Sequence, residues 1–314
     1  MKSRFLPFVL FFCSSNLMAG DFFDTFNADK INSTVYVVHG PREMPNPVNR
    51  GFMNNPAFIV AEKSVVIVDP GSSHETGTML LREIAKVTNK PVSHIFNTHI
   101  HGDHWLANDI IQQRYPNVKI IADPRMIKKA KAGAAQSWID NLISMTEGAT
   151  KGTKIAYPDE SVSDGKQLKV AGLTFNIHSV GIAHSDTDIM IEYVEGSTVF
   201  TGDNVGYLRI LRMSDGSFRD VIKALDRAVS LKAKHYVPGH GPTGDVKVAE
   251  LQREYFDTLY SLVVKYNDDG LEDFEMKPEI EAALVKFKDW AGFDNELGKH
   301  ISLAKLEAEK AEFE

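Results

Sequence analysis

An α/β fold with its sheets sandwiched between helices is predicted by three features of this chain. Short β-branched runs alternate with stretches of helical apolar spacing. The early helical stretches fall between strands, where crossover connections belong, and a second block of strands follows a long helical segment. A chain of 314 residues, 43% hydrophobic and 25% charged, can bury a sizeable core, which excludes disordered and collagen-like classes.

The elements follow in order. Residues 35–38, 57–61 and 65–68 read as strands, the last ending in the turn Asp69-Pro70-Gly71. Residues 76–88 carry Met79, Leu80, Ile84 and Val87 at helical spacing. A short strand at 94–97, a helix at 105–113 and a strand at 119–122 come next, then mostly helix over 124–148 with a glycine interruption. Strands return at 168–170, 173–179, 188–194 and 197–201. Val221, Leu225, Ala228 and Leu231 mark a helix over 217–232; a strand at 235–237 and a long helix at 245–266 complete the pattern. From 271 the tail is charged and helical. Its apolar stripe of Phe287, Trp290, Phe293, Leu297 and Ile301 is expected to pack into the core rather than to wait for a partner.

The first residues obey different rules. Lys2 and Arg4 precede a short apolar run, residues 5–12, and Ala19 and Gly20 are small residues near a cleavage point. This is the layout of a secretory signal peptide over 1–19, with an apolar run too short to span a membrane. The expected location is therefore periplasmic or secreted, with no membrane anchor. Cleavage would remove Cys13, the only cysteine, leaving no disulfide, no thiol nucleophile and no thiolate ligand. It would also remove two positive charges from a chain whose formal net charge is already -7. The remaining basic residues are scattered, so no nucleic-acid partner is expected. A small-molecule substrate is the expected partner, and the pattern leaves the oligomeric state open.

The chemistry is concentrated in Thr98-His99-Ile100-His101-Gly102-Asp103-His104, directly after a strand. Alternate residues of an extended segment point the same way, so His99 and His101 can share one ion at about 2.0–2.1 Å. Asp103 and His104 follow where the chain turns into a helix and can address a second ion. No Gly-x-Ser-x-Gly elbow offers a competing serine mechanism.

This pattern resembles the metallo-β-lactamase superfamily, and further elements follow in that family's order. They are Val68-Asp69-Pro70-Gly71, Gly181-Ile182-Ala183-His184-Ser185, Phe200-Thr201-Gly202-Asp203 and Val237-Pro238-Gly239-His240-Gly241. The resemblance implies a four-layer αββα sandwich over 20–266, with a helical C-terminal extension over 267–314. It implies that His99, His101 and His184 hold one ion, that Asp103, His104 and His240 hold another, and that Asp203 bridges them. Asp103 and Asp203 would be the catalytic carboxylates, with Asp69 and Asp188 orienting ligand imidazoles from behind. His39, His74, His94, His178, His235 and His300 have no such context and are expected to be structural or on the surface.

Neutral imidazoles and carboxylates suit zinc, and the same set can hold iron or manganese. A hydroxide bridging two ions would attack a carbonyl carbon. The missing cysteine excludes the β-lactamase subclass that uses one. Asp203 and the Pro-Gly-His-Gly ending resemble glyoxalase II. The signal peptide, Asn49-Arg50-Gly51, Thr201-Gly202-Asp203-Asn204 and Ser214-Asp215-Gly216 resemble periplasmic quinoprotein relay system zinc metallohydrolases. The expectation is hydrolysis of a small ester, thioester or lactone. A cysteine-free metallo-β-lactamase and a diiron redox enzyme of the same fold are the alternatives. Specificity is expected from the loops 42–55, 132–165 and 206–216.

Overall fold

The structure, a computed structural model, describes residues 22–311; the expected signal segment, its cleavage point and Cys13 lie outside the described residues. Seven strands build the first sheet: β1 (Asp29–Lys30), β2 (Val35–Val37), β3 (Ala57–Val60), β4 (Val65–Val68), β5 (Val92–Phe96), β6 (Lys119–Ala122) and β7 (Glu160–Ser161). They lie side by side in chain order, antiparallel up to β4 and parallel from there. The second sheet holds β8 (Gln167–Val170), β9 (Leu173–His178), β10 (Met190–Tyr193), β11 (Thr198–Gly206) and β12 (His235–His240), and only its β11–β12 pair is parallel.

Parallel neighbours need crossovers, and helices supply them. α1 (His74–Val87) joins β4 to β5, and α2 (Gly102–Trp105) with α3 (Asn108–Arg114) joins β5 to β6. α4 (Pro124–Lys129) and α5 (Ala135–Met145) lie between β6 and β7, separated by a kink at Gly133, whose φ of 117° no helix interior accommodates. α6 (Phe218–Ser230) joins β11 to β12, and α7 (Lys247–Asp268), α8 (Asp273–Ala283) and α9 (Phe293–Ala311) follow.

Strand alternation decides where the layers meet. On β4, Val66 and Val68 face the second sheet and pack with Phe175, Ile177, Ile191 and Phe200. Val65 and Ile67 face the other way, onto Met79, Leu80 and Ile84 of α1 and Ile111 of α3. Beyond the second sheet, α6 to α9 pack over Val199 and Tyr236. The layers therefore run helix, sheet, sheet, helix: the αββα sandwich. Phe287, Trp290, Phe293, Leu297 and Ile301 are all buried in the outer core, so the tail's stripe is packing surface, as its spacing predicts. No helix among the described residues is long and apolar enough to cross a membrane.

The short edge strands β1 and β7 are not among the expected elements, and one expected helix is divided. Instead of a single helix over 105–113, the chain forms α2 and α3, with a break at 106–107. There the Ala107 amide leaves the helical ladder and donates to Gly71 O at 2.9 Å. This ties the helices to the acidic turn and aims Asp103 and His104 at the sheet edge.

Candidate metal centre

Strand ends bring the seven predicted residues to one edge of the sandwich. His99 and His101 follow β5, Asp103 and His104 open α2, His184 sits in the loop before β10, Asp203 lies on β11 and His240 ends β12. Their ligand atoms fall into two groups, each within 4.8 Å: His99, His101, His184 and Asp203 in one, Asp103, His104 and His240 in the other. Asp203 also reaches the second group. Its Oδ1 lies 3.2 Å from His104 Nε2 and its Oδ2 3.2 Å from His240 Nε2, while Oδ2 is 3.4 Å from His184 Nε2. Asp103 Oδ2 stands 3.3 Å from both His104 Nε2 and His240 Nε2. Donors at about 2.0–2.1 Å around a tetrahedral ion are separated by roughly 3.3–3.4 Å, so these spacings suit a shared cation.

Two observations support that fit. His99 Nε2, Asp103 Oδ2, His104 Nε2 and Asp203 Oδ1 are buried without hydrogen-bond partners, an arrangement that is costly unless a cation satisfies them. The opposite ring nitrogens are engaged, which assigns the tautomers. His240 Nδ1 donates to Met53 O at 2.8 Å and His104 Nδ1 to Asp69 Oδ2 at 2.8 Å. Thr98 Oγ1 donates to Asp69 Oδ2 at 2.6 Å, leaving its lone pairs to accept from His99 Nδ1 at 3.0 Å. His101 Nε2 donates to Asp215 Oδ2 at 3.0 Å. Four imidazoles are thereby held with their free lone pairs towards the cluster.

The sequence folds this way because small residues let the strands close in. A side chain at Gly239 would place its Cβ 1.8 Å from Asp203 Oδ1. At Gly202, where φ is +53°, a Cβ would sit 2.6 Å from Thr98 Oγ1. Asp69 itself adopts a left-handed φ of 49°, held by its amide on Phe96 O and by Asn54 Nδ2 on its own carbonyl.

Electrostatics divide the groups. Burial pushes the His184 pKa down to about 3, and burial with neighbouring imidazoles holds His99 well below its usual range. Both rings are neutral lone-pair donors. Burial also opposes charge on His104, yet Asp203, Asp103 and Asp69 hold its pKa well above the usual imidazole range. Burial likewise opposes the charge on Asp103 and Asp203, and His104 and His240 overcome it, keeping both carboxyls well below their normal values.

Asp188 departs from expectation. It touches no imidazole; its carboxylate accepts from Ser185 N at 2.6 Å and Ser185 Oγ at 2.8 Å, closing the turn after His184. Burial raises its pKa to about 7. Asp69 does orient His104, as predicted. Of the remaining histidines, His300 is deeply buried in the outer core, between Tyr255 OH and Leu211 O.

A cavity opens over the cluster, with Met53, Trp138, Leu142 and Met145 as apolar wall and Arg209 and Arg212 as cations. Trp138 stands against the His101 ring, centroids 4.9 Å apart. Arg209 is 5% exposed, and among the described residues its guanidinium meets Glu43 O, Met44 Sδ, Met53 Sδ and His240 Nδ1. Sequence pattern singles out neither Trp138 nor Arg209. The one signal for Arg209 is its place as a lone cation inside the apolar run Leu208-Arg209-Ile210-Leu211.

Comparison with known proteins agrees with this geometry. Residues 49–240 match the family model of the metallo-beta-lactamase superfamily. A probable metallo-hydrolase of Methanocaldococcus jannaschii is 28% identical to this chain, over 62% of it and 91% of the relative. A hydroxyacylglutathione hydrolase of Prochlorococcus marinus is 26% identical over 54% of this chain and 57% of its own. Among solved structures, a metallo-beta-lactamase from Pontibacter korlensis superposes with a TM-score of 0.56 at 20% identity, covering 72% of this chain and 95% of that one. At that identity the likeness is one of fold.

Proposed function

This chain belongs to the metallo-beta-lactamase superfamily of metal-dependent hydrolases, and we propose that it is an exported enzyme that holds two metal ions, zinc by preference, and cleaves a small ester, thioester or lactone. The observation that carries the reading is the convergence of seven side chains, six buried and His101 partly so, their free lone pairs and carboxylates aimed at one another. His99, His101 and His184 would hold one ion, Asp103, His104 and His240 the other, with Asp203 between them. Metal ions held there supply Lewis acidity and bring the pKa of water towards neutrality.

The chain's own residues do the rest. Asp69, Thr98, Met53 O and Asp215 keep the imidazoles in register. Trp138, Leu142, Met145 and Met53 exclude water around the reacting carbonyl, which strengthens every charge interaction at the cavity floor. Arg209 adds positive charge beside His240, where negative charge on a substrate or a leaving group is stabilised.

Asp203 supports the substrate class. A carboxylate between two cations reduces the net positive charge available to a developing anion. Nitrogen leaving groups demand strong electrophilic help, whereas thiolates and alkoxides need less, so oxygen and sulfur leaving groups are favoured. Comparing kcat/KM for a thioester, a lactone and a penicillin on one zinc-loaded preparation tests this. The thioester or lactone is expected to lead; a penicillin that equals or exceeds both replaces the proposal with a β-lactamase.

Export is the second part of the proposal, supported by the charged, apolar and small-residue succession of residues 1–20. N-terminal sequencing of protein from its native compartment is expected to start near Ala19–Asp21. Cytoplasmic protein that retains Met1 contradicts export.

A further inference from the structure

The helices after residue 272 do more than complete the outer core. α9 sends Glu307 to the N-terminus of α6, where a carboxylate meets free amides and the positive end of the helix dipole. Its Oε1 accepts from Ser217 Oγ at 2.7 Å and from Arg219 N at 3.2 Å, and its Oε2 accepts from Phe218 N at 2.7 Å. Glu307 thereby holds the start of α6 and Ser217, the residue through which the 215–217 segment enters it.

Those residues reach the metal centre. Ser217 N donates to Ala183 O at 2.8 Å, immediately before His184. At Gly216 an added Cβ would lie 2.3 Å from Ala183 O and 2.7 Å from His184 O, so this backbone packs directly on the His184 loop. Asp215 Oδ2 accepts from His101 Nε2 at 3.0 Å. Residues 215–217 thus brace two of the three histidines of one group. Asp103 and His104 are anchored elsewhere, on α2 and by Asp69, and His240 by Met53 O.

We propose that Glu307 is a positioning residue for the group His99, His101 and His184: acting through residues 215–217, it tunes the affinity of that metal site and leaves the site of Asp103, His104 and His240 unchanged. The inference rests on the two-ion reading above. Partners behind metal ligands change affinity about 10- to 100-fold when removed, and Glu307 acts on two ligands at once.

The test is competition between the full-length protein and a chromophoric chelator for zinc, which reads metal affinity without any substrate. Wild type is expected to show two equivalents with separable affinities. Glu307→Ala is expected to weaken one of them by about 10-fold or more, with Glu307→Gln intermediate. The weakened equivalent should be the one that His101→Ala abolishes. Glu309→Gln, a change on the same helix, should alter neither. Unchanged affinities, or equal weakening of both sites, overturn the proposal and leave Glu307 as a fold-stabilising contact; the same holds for a variant with a lowered Tm and wild-type affinities. A wild-type protein that takes up fewer than two equivalents overturns the two-ion reading itself, and this inference falls with it.

Discussion

Stripping divalent metal from the purified protein with a strong chelator is expected to take hydrolysis to background, and two equivalents of zinc per chain are expected to restore it. Among the described residues the cavity floor offers no serine or cysteine nucleophile beside a general base: its polar groups are the histidines, Asp103, Asp203 and the two arginines. Hydrolysis without metal would have only the two arginines to stabilise developing charge and no Lewis acid to activate water. Seven candidate ligands also exceed what one tetrahedral ion needs. The sandwich should survive removal, because its cores lie between the sheets and under the helices rather than at the metal centre. Its Tm should fall, since a ligand that binds only the folded state stabilises that state by mass action. The pH dependence has a definite sign. Carboxylates hold the His104 pKa well above the usual imidazole range, so metal uptake must displace a proton there and affinity should fall as the pH is lowered. Elemental analysis after mild dialysis checks the stoichiometry; a single equivalent that added zinc does not raise contradicts the binuclear reading.

Local chemistry made much of this site legible from sequence, and long-range contacts hid the rest. His99 and His101 were readable because a strand end imposes alternation; their rings indeed meet, with centroids 4.7 Å apart. His184, Asp203 and His240 were readable only through the order of their motifs, since a lone histidine or aspartate carries no sign of its destination. Asp69 was legible as an acidic turn, but its coupling to Thr98 and His99 depends on a backbone conformation that the turn alone does not dictate. Asp188 misled for a local reason: Ser185, three residues before it, captures its carboxylate. The tail's apolar stripe announced burial, yet nothing near Glu307 in sequence announces Ser217, ninety residues away. The expected bounds of β5 and β10 fall within two residues of those observed. β11 runs on to Gly206 because its parallel pairing with β12 continues through two irregularities, which propensity does not register.

Asp103→Ala is expected to lower kcat/KM by at least about 100-fold, because losing a ligand should cost no less than the about 10- to 100-fold that losing a partner behind one costs, while the protein stays folded. Asp103 is buried at the N-terminal end of α2, and its Oδ2 faces His104 and His240 at 3.3 Å each. Truncation removes the carboxylate of that group and leaves two imidazoles, with Asp203 the nearest remaining anion. The loss of charge also changes the imidazoles, because Asp103 is one of the groups holding the His104 pKa up. Fold loss is not expected. The apolar cluster of Trp105, Leu106 and Met126 beside α2 does not involve the Asp103 side chain, and Gly102 and His104 keep their backbone bonds to Leu106 and His101. Asp103→Asn sharpens the test. It preserves shape and one acceptor oxygen but carries no charge, so activity between wild type and alanine assigns part of the effect to geometry and part to charge. Circular dichroism and Tm establish folding, zinc titration establishes occupancy, and kcat/KM is read on the best thioester or lactone. If the alanine variant keeps near-normal turnover with both equivalents bound, Asp103 has no place in the second metal group, and His104, His240 and Asp203 must hold that ion without it.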